Sequence, residues 1–294
     1  MTKQPFKGIF PALLTPFDSL DRVNVRELKK LVRYNLNKGV SGFYVCGSTA
    51  EVFLLSDEER KEVYRAVAEE AGNECTLIAH IGAISTRQAI RFARYAKELG
   101  YHAISSVAPF YYKFSFEQIR EYYFSIADEV DLPVIVYNFP SFSGVNLSLQ
   151  QLGVFLDDPR FIGIKHTSSD YFMLEQIKSI YPDKVVYNGY DETFLPGLSM
   201  GADGGIGSTY NFMAEKFLSI CNHFNARDIQ KAREEQASVN RVISALCRVG
   251  VMEGEKEILC QLGFDFGNAR SPFSRLTEEQ KTVIREKVLP ELDG

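Results

Sequence analysis

Eight short apolar runs, each followed by a longer stretch of helical pattern, predict an α/β chain folded as a (β/α)8 (TIM) barrel with a C-terminal helical extension. Three observations carry this expectation. The strand-then-helix unit recurs about every 30 residues. The apolar runs are continuous rather than alternating, as parallel strands covered on both faces require. Residues 225–294 keep a helical pattern and add no strand, so the barrel is expected over 1–224 and a packed helical appendage over 225–294.

The units follow in order. "GIFPALLTPF" (8–17) leads into a helix near 24–38, "GFYVCG" (42–47) into 57–71, and "TLIAHIG" (76–82) into 85–99. "HAISSVAPF" (102–110) precedes 115–130, "PVIVYNFP" (133–140) precedes 148–157, and "FIGIKHTS" (161–168) precedes 170–180. "KVVYNGYDE" (184–192) leads to a short helix near 193–200 and "GGIGSTYN" (204–211) to 212–224. Gly39 and Gly100 mark helix ends, and Ser56, Ser85 and Ser148 stand where N-caps belong.

Composition narrows the partners. The 294 residues carry a net charge of −5, with no basic stripe, which argues against nucleic acid or an anionic membrane surface. No run of about 18 apolar residues is present to span a bilayer. The start lacks a signal-peptide pattern, and the five cysteines are scattered without a C-x-x-C pair, so a reducing cytoplasmic setting is expected. The four histidines show no zinc-type spacing, and no metal is expected.

Chemistry in such a barrel sits at the carboxyl ends of the strands. There, in "FIGIKHTSSD", Lys165 falls inside an apolar run. Side chains alternate along a strand, so Phe161, Gly163, Lys165 and Thr167 are expected to share the inward face, with Ile162, Ile164 and His166 toward the helices. A desolvated lysine loses its proton readily and can attack a carbonyl to form a Schiff base. A lysine snorkelling to the surface or paired with a carboxylate is the competing reading, and position alone divides the two evenly. Tyr137 ends the preceding strand, where a phenol can shuttle a proton beside an iminium. A rim tyrosine of the core fits the same place.

The other strand ends are polar. Ser48 and Thr49 in "GSTAE" offer two hydroxyls to a carboxylate-sized anion, or serve as ordinary turn chemistry. In "GYDE", the paired carboxylates Asp191 and Glu192 suit sugar hydroxyls, a metal or acid/base work, or else a solvated helix start. "GADGGIGSTYN" (201–211) is glycine-rich, yet no lysine or arginine lies between Lys184 and Lys216, which favours a neutral polyhydroxylated ligand over a phosphate.

The ordered set "GSTAE", "PFYYKFSF", "YNFPSFSG", "GIKHTS", "YNGYDE" and "GGIGSTYN" resembles the N-acetylneuraminate lyase family, within the dihydrodipicolinate synthase superfamily of Schiff-base barrels, over essentially the whole chain. The resemblance implies a cofactor-independent class I aldolase that cleaves N-acetylneuraminate to N-acetylmannosamine and pyruvate. It implies that Lys165 forms the imine, Tyr137 relays protons, and Ser48 and Thr49 hold the pyruvate carboxylate. It implies that Tyr111 reaches a neighbouring subunit's site in a homotetramer. It also implies that Thr167, Gly189, Asp191, Glu192 and Ser208, with Gly207 alongside, bind sugar hydroxyls. Phe142 stands where dihydrodipicolinate synthases carry an arginine for a second carboxylate. Ala50 replaces a common glycine, which requires a negative φ there, and His166 is unusual after the lysine. The alternative is a sister aldolase or dehydratase acting on another 2-keto-3-deoxy sugar acid. A non-catalytic sialic-acid-binding barrel would be expected to lack Lys165 or Tyr137, and a phosphate-binding isomerase would need a cation that the 185–215 segment lacks.

Overall fold

The structure is a computed structural model and describes residues 6–292. Eight strands pair in parallel in chain order: β1 (Gly8–Pro11), β2 (Gly42–Val45), β3 (Thr76–His80), β4 (Ala103–Val107), β5 (Val134–Asn138), β6 (Phe161–His166), β7 (Val185–Asn188) and β8 (Gly204–Gly207). β8 pairs back to β1. Between β1 and β2 the seam is closed by Ser41 N donating to Ile9 O at 2.9 Å and Leu13 N donating to Tyr44 O at 3.0 Å, with Ala12 bridging Tyr44. The expected barrel therefore forms, with a first strand shorter than its apolar run.

The outer ring is α1 (Val25–Lys38), α2 (Asp57–Ala71), α3 (Thr86–Glu98), α4 (Phe116–Glu129), the single turn α5 (Pro140–Ser143), α6 (Leu149–Leu156), α7 (Tyr171–Ile180), α8 (Phe194–Ser199) and α9 (Tyr210–Asn225). Local chemistry fixes their ends. Ser56 and Ser148 complete capping boxes with Glu59 and Gln151, and Gly39 closes α1 in the left-handed region. Ser85 occupies the N-cap position of α3, but its hydroxyl makes no capping hydrogen bond, which corrects the expectation for that residue.

Two apolar layers result. One lies between sheet and helices. The other fills the barrel, with Phe10, Ile78, Ile135, Tyr187 and Ile206 among its members. β6 departs from simple alternation. Val134 pairs with Phe161 and Ile135 with Gly163, so Ile162 is an extra residue, a bulge in the ladder. Phe161 consequently packs outward against Phe124 and Phe155, and Ile162 turns toward the interior layer. Beyond the bulge the expected alternation resumes, and Lys165 points inward opposite Tyr137.

The extension comprises α10 (Ile229–Val249), α11 (Val251–Gln261), α12 (Glu278–Lys287) and α13 (Leu289–Leu292). α10 lies along α9. Gln236 of α10 donates to the Asp191 carbonyl at 3.0 Å and accepts from Leu195 N at 2.9 Å. Among the described residues no helix is long and apolar enough to cross a membrane.

Candidate active site

A cavity of about 450 Å³ opens at the carboxyl ends of the strands, lined by Lys165, Tyr137, Ser48, Thr49, Asp191 and Ser208, among others. That size suits a small-molecule ligand. Lys165, at the end of β6, is 4 % exposed. Its Nζ lies 4.1 Å from the Tyr137 ring centroid and 4.4 Å from that of Tyr44. Burial pushes its pKa down to about 7, against a smaller pull upward from Asp191. A substantial fraction is the free amine at neutral pH, and the amine is the form that attacks a carbonyl.

Burial raises the Tyr137 phenol above its ordinary value, while the flanking hydroxyls of Ser48 and Thr167 soften the rise. The phenol is thus protonated at rest, within reach of two hydroxyls along which a proton can pass. Ser48 and Thr49 lie in the 3-10 turn Ser48–Ala50 directly after β2. Cys46, two residues before the turn, and Glu51, directly after it, are both at positive φ, whereas Ala50 is absent from the left-handed region and buried, so the alanine fits. Thr15 Oγ1 donates to Ala50 O at 2.9 Å and holds the turn from below.

At the other end of the cavity, Asp191 is 6 % exposed. Its Oδ2 accepts from Thr209 N at 2.9 Å and Oγ1 at 2.7 Å, while Oδ1 is buried without a hydrogen bond. Burial lifts its pKa to about 6, with Thr209 opposing. Two glycines are explained by close approach. A Cβ on Gly207 would lie 1.9 Å from Asp191 Oδ1, and one on Gly189 would lie 1.9 Å from Thr167 Oγ1. Both acceptors belong to this cavity, so the glycines keep room for them. Thr167 Oγ1 is likewise buried without a hydrogen bond of normal geometry. Glu192 is exposed at the rim.

Phe142 is exposed but stacks on Phe139 with ring centroids 4.3 Å apart, making an apolar wall. Among the described residues, Lys165 is the only lysine or arginine lining the cavity. Tyr111 is not brought here: it lies in the loop after β4, 83 % exposed, its ring against Tyr112. His166 faces the helices, its Nδ1 3.1 Å from Asn138 Nδ2 and its Nε2 3.1 Å from Asp170 O. Among the described residues no group of histidine, cysteine and carboxylate side chains is arranged to hold a metal.

Three residues in or beside the site had no sequence signal strong enough to single them out. Tyr44 is fully buried, donates to Ser105 Oγ at 3.0 Å, and forms part of the aromatic box around Lys165. His80 is buried beside Tyr137; its Nε2 accepts from Val107 N, which leaves Nδ1 to donate to Cys46 O at 2.8 Å, and burial lowers its pKa. Glu255 of α11 lines the same cavity and is fully buried. Inward parity on β2 and β3 marks Tyr44 and His80 in retrospect, whereas Glu255 reads as one more charge on a helix.

A model of the dihydrodipicolinate synthetase family matches residues 5–289. The chain is 46 % identical over 281 residues to N-acetylneuraminate lyase 2 of Escherichia coli O6:H1, covering 95 % of this chain and 92 % of that one. Among solved structures it is similar to the N-acetylneuraminate lyase of Fusobacterium nucleatum complexed with pyruvate, at TM-score 0.91 and 36 % identity over 96 % of this chain and 95 % of the other. It is also similar to CdNal from Clostridium difficile in complex with mannosamine, at TM-score 0.93 and 37 % identity over 95 % and 97 % of the two chains.

Proposed function

The chain belongs to the dihydrodipicolinate synthetase family, and from that membership we propose that it is a class I aldolase, a carbon–carbon lyase that cleaves N-acetylneuraminate to N-acetylmannosamine and pyruvate. The observation that carries the proposal is the buried Lys165 amine, held between two tyrosine rings with its pKa pushed to about 7, at the strand end next to Tyr137. The N-acetylneuraminate lyases to which the chain is similar, one of them with pyruvate bound, support the substrate.

The reaction follows from electron demand. Lys165 attacks the keto carbon of the open-chain substrate and loses water to give a protonated imine. Ser48 and Thr49 hold the adjacent carboxylate. Tyr137 takes the proton of the C4 hydroxyl, with the substrate carboxylate assisting. As the C3–C4 bond breaks, its electron pair flows into the iminium and the C4 carbon leaves as an aldehyde. The enamine takes a proton at C3, and hydrolysis frees pyruvate and Lys165. The iminium charge favours the phenolate that this step needs, which offsets the burial that otherwise disfavours it. Thr167, Gly189, Asp191, Glu192, Gly207 and Ser208 bind the polyol. Tyr111 completes the hydroxyl relay in a neighbouring subunit of a homotetramer in the cytoplasm. The barrel through residue 224 supplies the reacting groups, and the extension from 225 walls the cavity.

Phe142 gives a second carboxylate no cation to meet, which favours a sugar over a semialdehyde acid. Pyruvate release from N-acetylneuraminate and from 2-keto-3-deoxygluconate, compared as kcat/KM, tests the assignment. Faster turnover of the first is expected, and faster turnover of the second overturns it.

A further inference from the structure

Glu255 has no role in the chemistry above, yet among the described residues its carboxyl is the one with both oxygens buried and unpartnered. It is fully buried, and neither oxygen makes a hydrogen bond of normal geometry. An unsatisfied buried carboxyl is costly, and a leucine at the same place in α11 would avoid that cost. Its position is not a remote corner of the core. It lines the cavity at the end that holds Asp191 and Ser208.

The fold prevents it from turning away. On its N-terminal side, Gly254 packs so closely on α10 that an added Cβ would stand 2.6 Å from Leu246 Cδ2. On its other side, Lys256 is pinned by an ion pair to Glu51 at 2.5 Å and by donation to Asn268 O at 3.2 Å. Ser208 is the polar side chain beside the Glu255 carboxyl, and Asp191 is the charge whose field reaches it.

We propose that Glu255 is a positioning residue for substrate specificity, acting through Ser208: the serine hydroxyl donates to the Glu255 carboxyl, and its oxygen is thereby fixed to accept from a hydroxyl of the distal polyol. Burial, first, and the Asp191 charge raise the Glu255 pKa to about 8, so the group is mainly the uncharged acid at neutral pH. An uncharged carboxyl accepts from Ser208 without setting a second full charge beside Asp191. Its remaining O–H is one more donor at the same end of the cavity, where Asp191 Oδ1 has no donor of its own.

This inference rests on the aldolase proposal, and substrate length separates the two. 2-Keto-3-deoxygluconate carries the same reacting carbons as N-acetylneuraminate but ends three carbons earlier. Glu255→Leu is expected to raise KM for N-acetylneuraminate about 10-fold, the scale of one lost hydrogen bond, with kcat and the 2-keto-3-deoxygluconate parameters within about two-fold of native. Glu255→Gln, which keeps an acceptor without a charge, is expected to restore the native KM. Equal effects on both substrates, no effect on either, or a glutamine variant as impaired as the leucine variant would each overturn the role. Pyruvate trapping on Lys165 in the same variants reports on the aldolase chemistry itself. A trapped Lys165 with unaltered KM values rejects Glu255 alone, and an untrapped Lys165 in the native chain rejects the aldolase proposal.

Discussion

At Lys165 the requirements of chemistry and of stability oppose each other. The unfolded side chain titrates near its ordinary value of 10.5 and the buried one near 7. Below pH 7 the folded state therefore carries an unfavourable term on the order of a few kcal/mol, which diminishes as pH rises from about 7 and is gone above about 10.5. Two outcomes follow. The kcat/KM for imine formation rises with pH through about 7 and levels above it, because the reactive amine is the deprotonated form; a profile flat between about pH 6 and 8 contradicts this assignment. Lys165→Met abolishes turnover yet raises the urea midpoint at pH 7, and the gain over native shrinks toward pH 10. A variant that keeps native turnover contradicts the nucleophilic role, and one less stable than native contradicts the strain. This residue was legible in the sequence because a lysine inside an apolar strand violates burial preference in plain view. Glu255 was not. A glutamate on a helix of mixed polarity breaks no local rule, and only tertiary packing reveals that α11 presents it to the cavity.

The elements were legible for the same local reasons that make them stable. Ser56 with Glu59, and Ser148 with Gln151, are three residues apart and form reciprocal caps. Ser85 has no such partner at its third position, where Gln88 instead donates to Asp57 at 2.6 Å, and its hydroxyl does not cap. Ser56→Ala should thus cost about 1 kcal/mol in urea unfolding, whereas Ser85→Ala should cost far less; equal losses would show that the capping geometry is not what distinguishes them. Strand faces were legible except where the period slips. The bulge at Ile162 sends Phe161 outward and Ile162 inward, opposite to strict alternation, and no pattern of types in "FIGIK" announces an extra residue. The error did not reach Lys165, because pairing returns to register from Gly163 onward and places the amine opposite Tyr137.

On the scale of the whole molecule, the extension and the Ser48–Ala50 turn are tied together. Glu51, at φ 56°, follows the Ser48–Ala50 turn directly. Its carboxylate meets Lys256 Nζ at 2.5 Å and accepts from Arg270 N at 2.6 Å. Arg270 also reaches the Leu54 carbonyl and Glu59, and both cations lie over the Phe17 ring, at 4.1 and 4.2 Å. Removing one member of such a buried pair leaves an uncompensated charge, whereas removing both leaves mainly packing. Lys256→Met should cost about 3–5 kcal/mol, and the double variant with Glu51→Gln should recover most of that loss. A double variant as unstable as the single one contradicts this linkage. The sequence showed the two ends as separate patterns some 200 residues apart; their contact is a product of barrel closure, which local pattern does not encode.

Every role proposed at this site depends on Lys165 forming a Schiff base with a 2-keto acid. Incubation of the native chain with pyruvate, reduction with borohydride and peptide mapping by mass spectrometry measure it directly. One reduced pyruvate adduct is expected, located on Lys165 and lost in Lys165→Met; no adduct, or one confined to another lysine, would contradict that role.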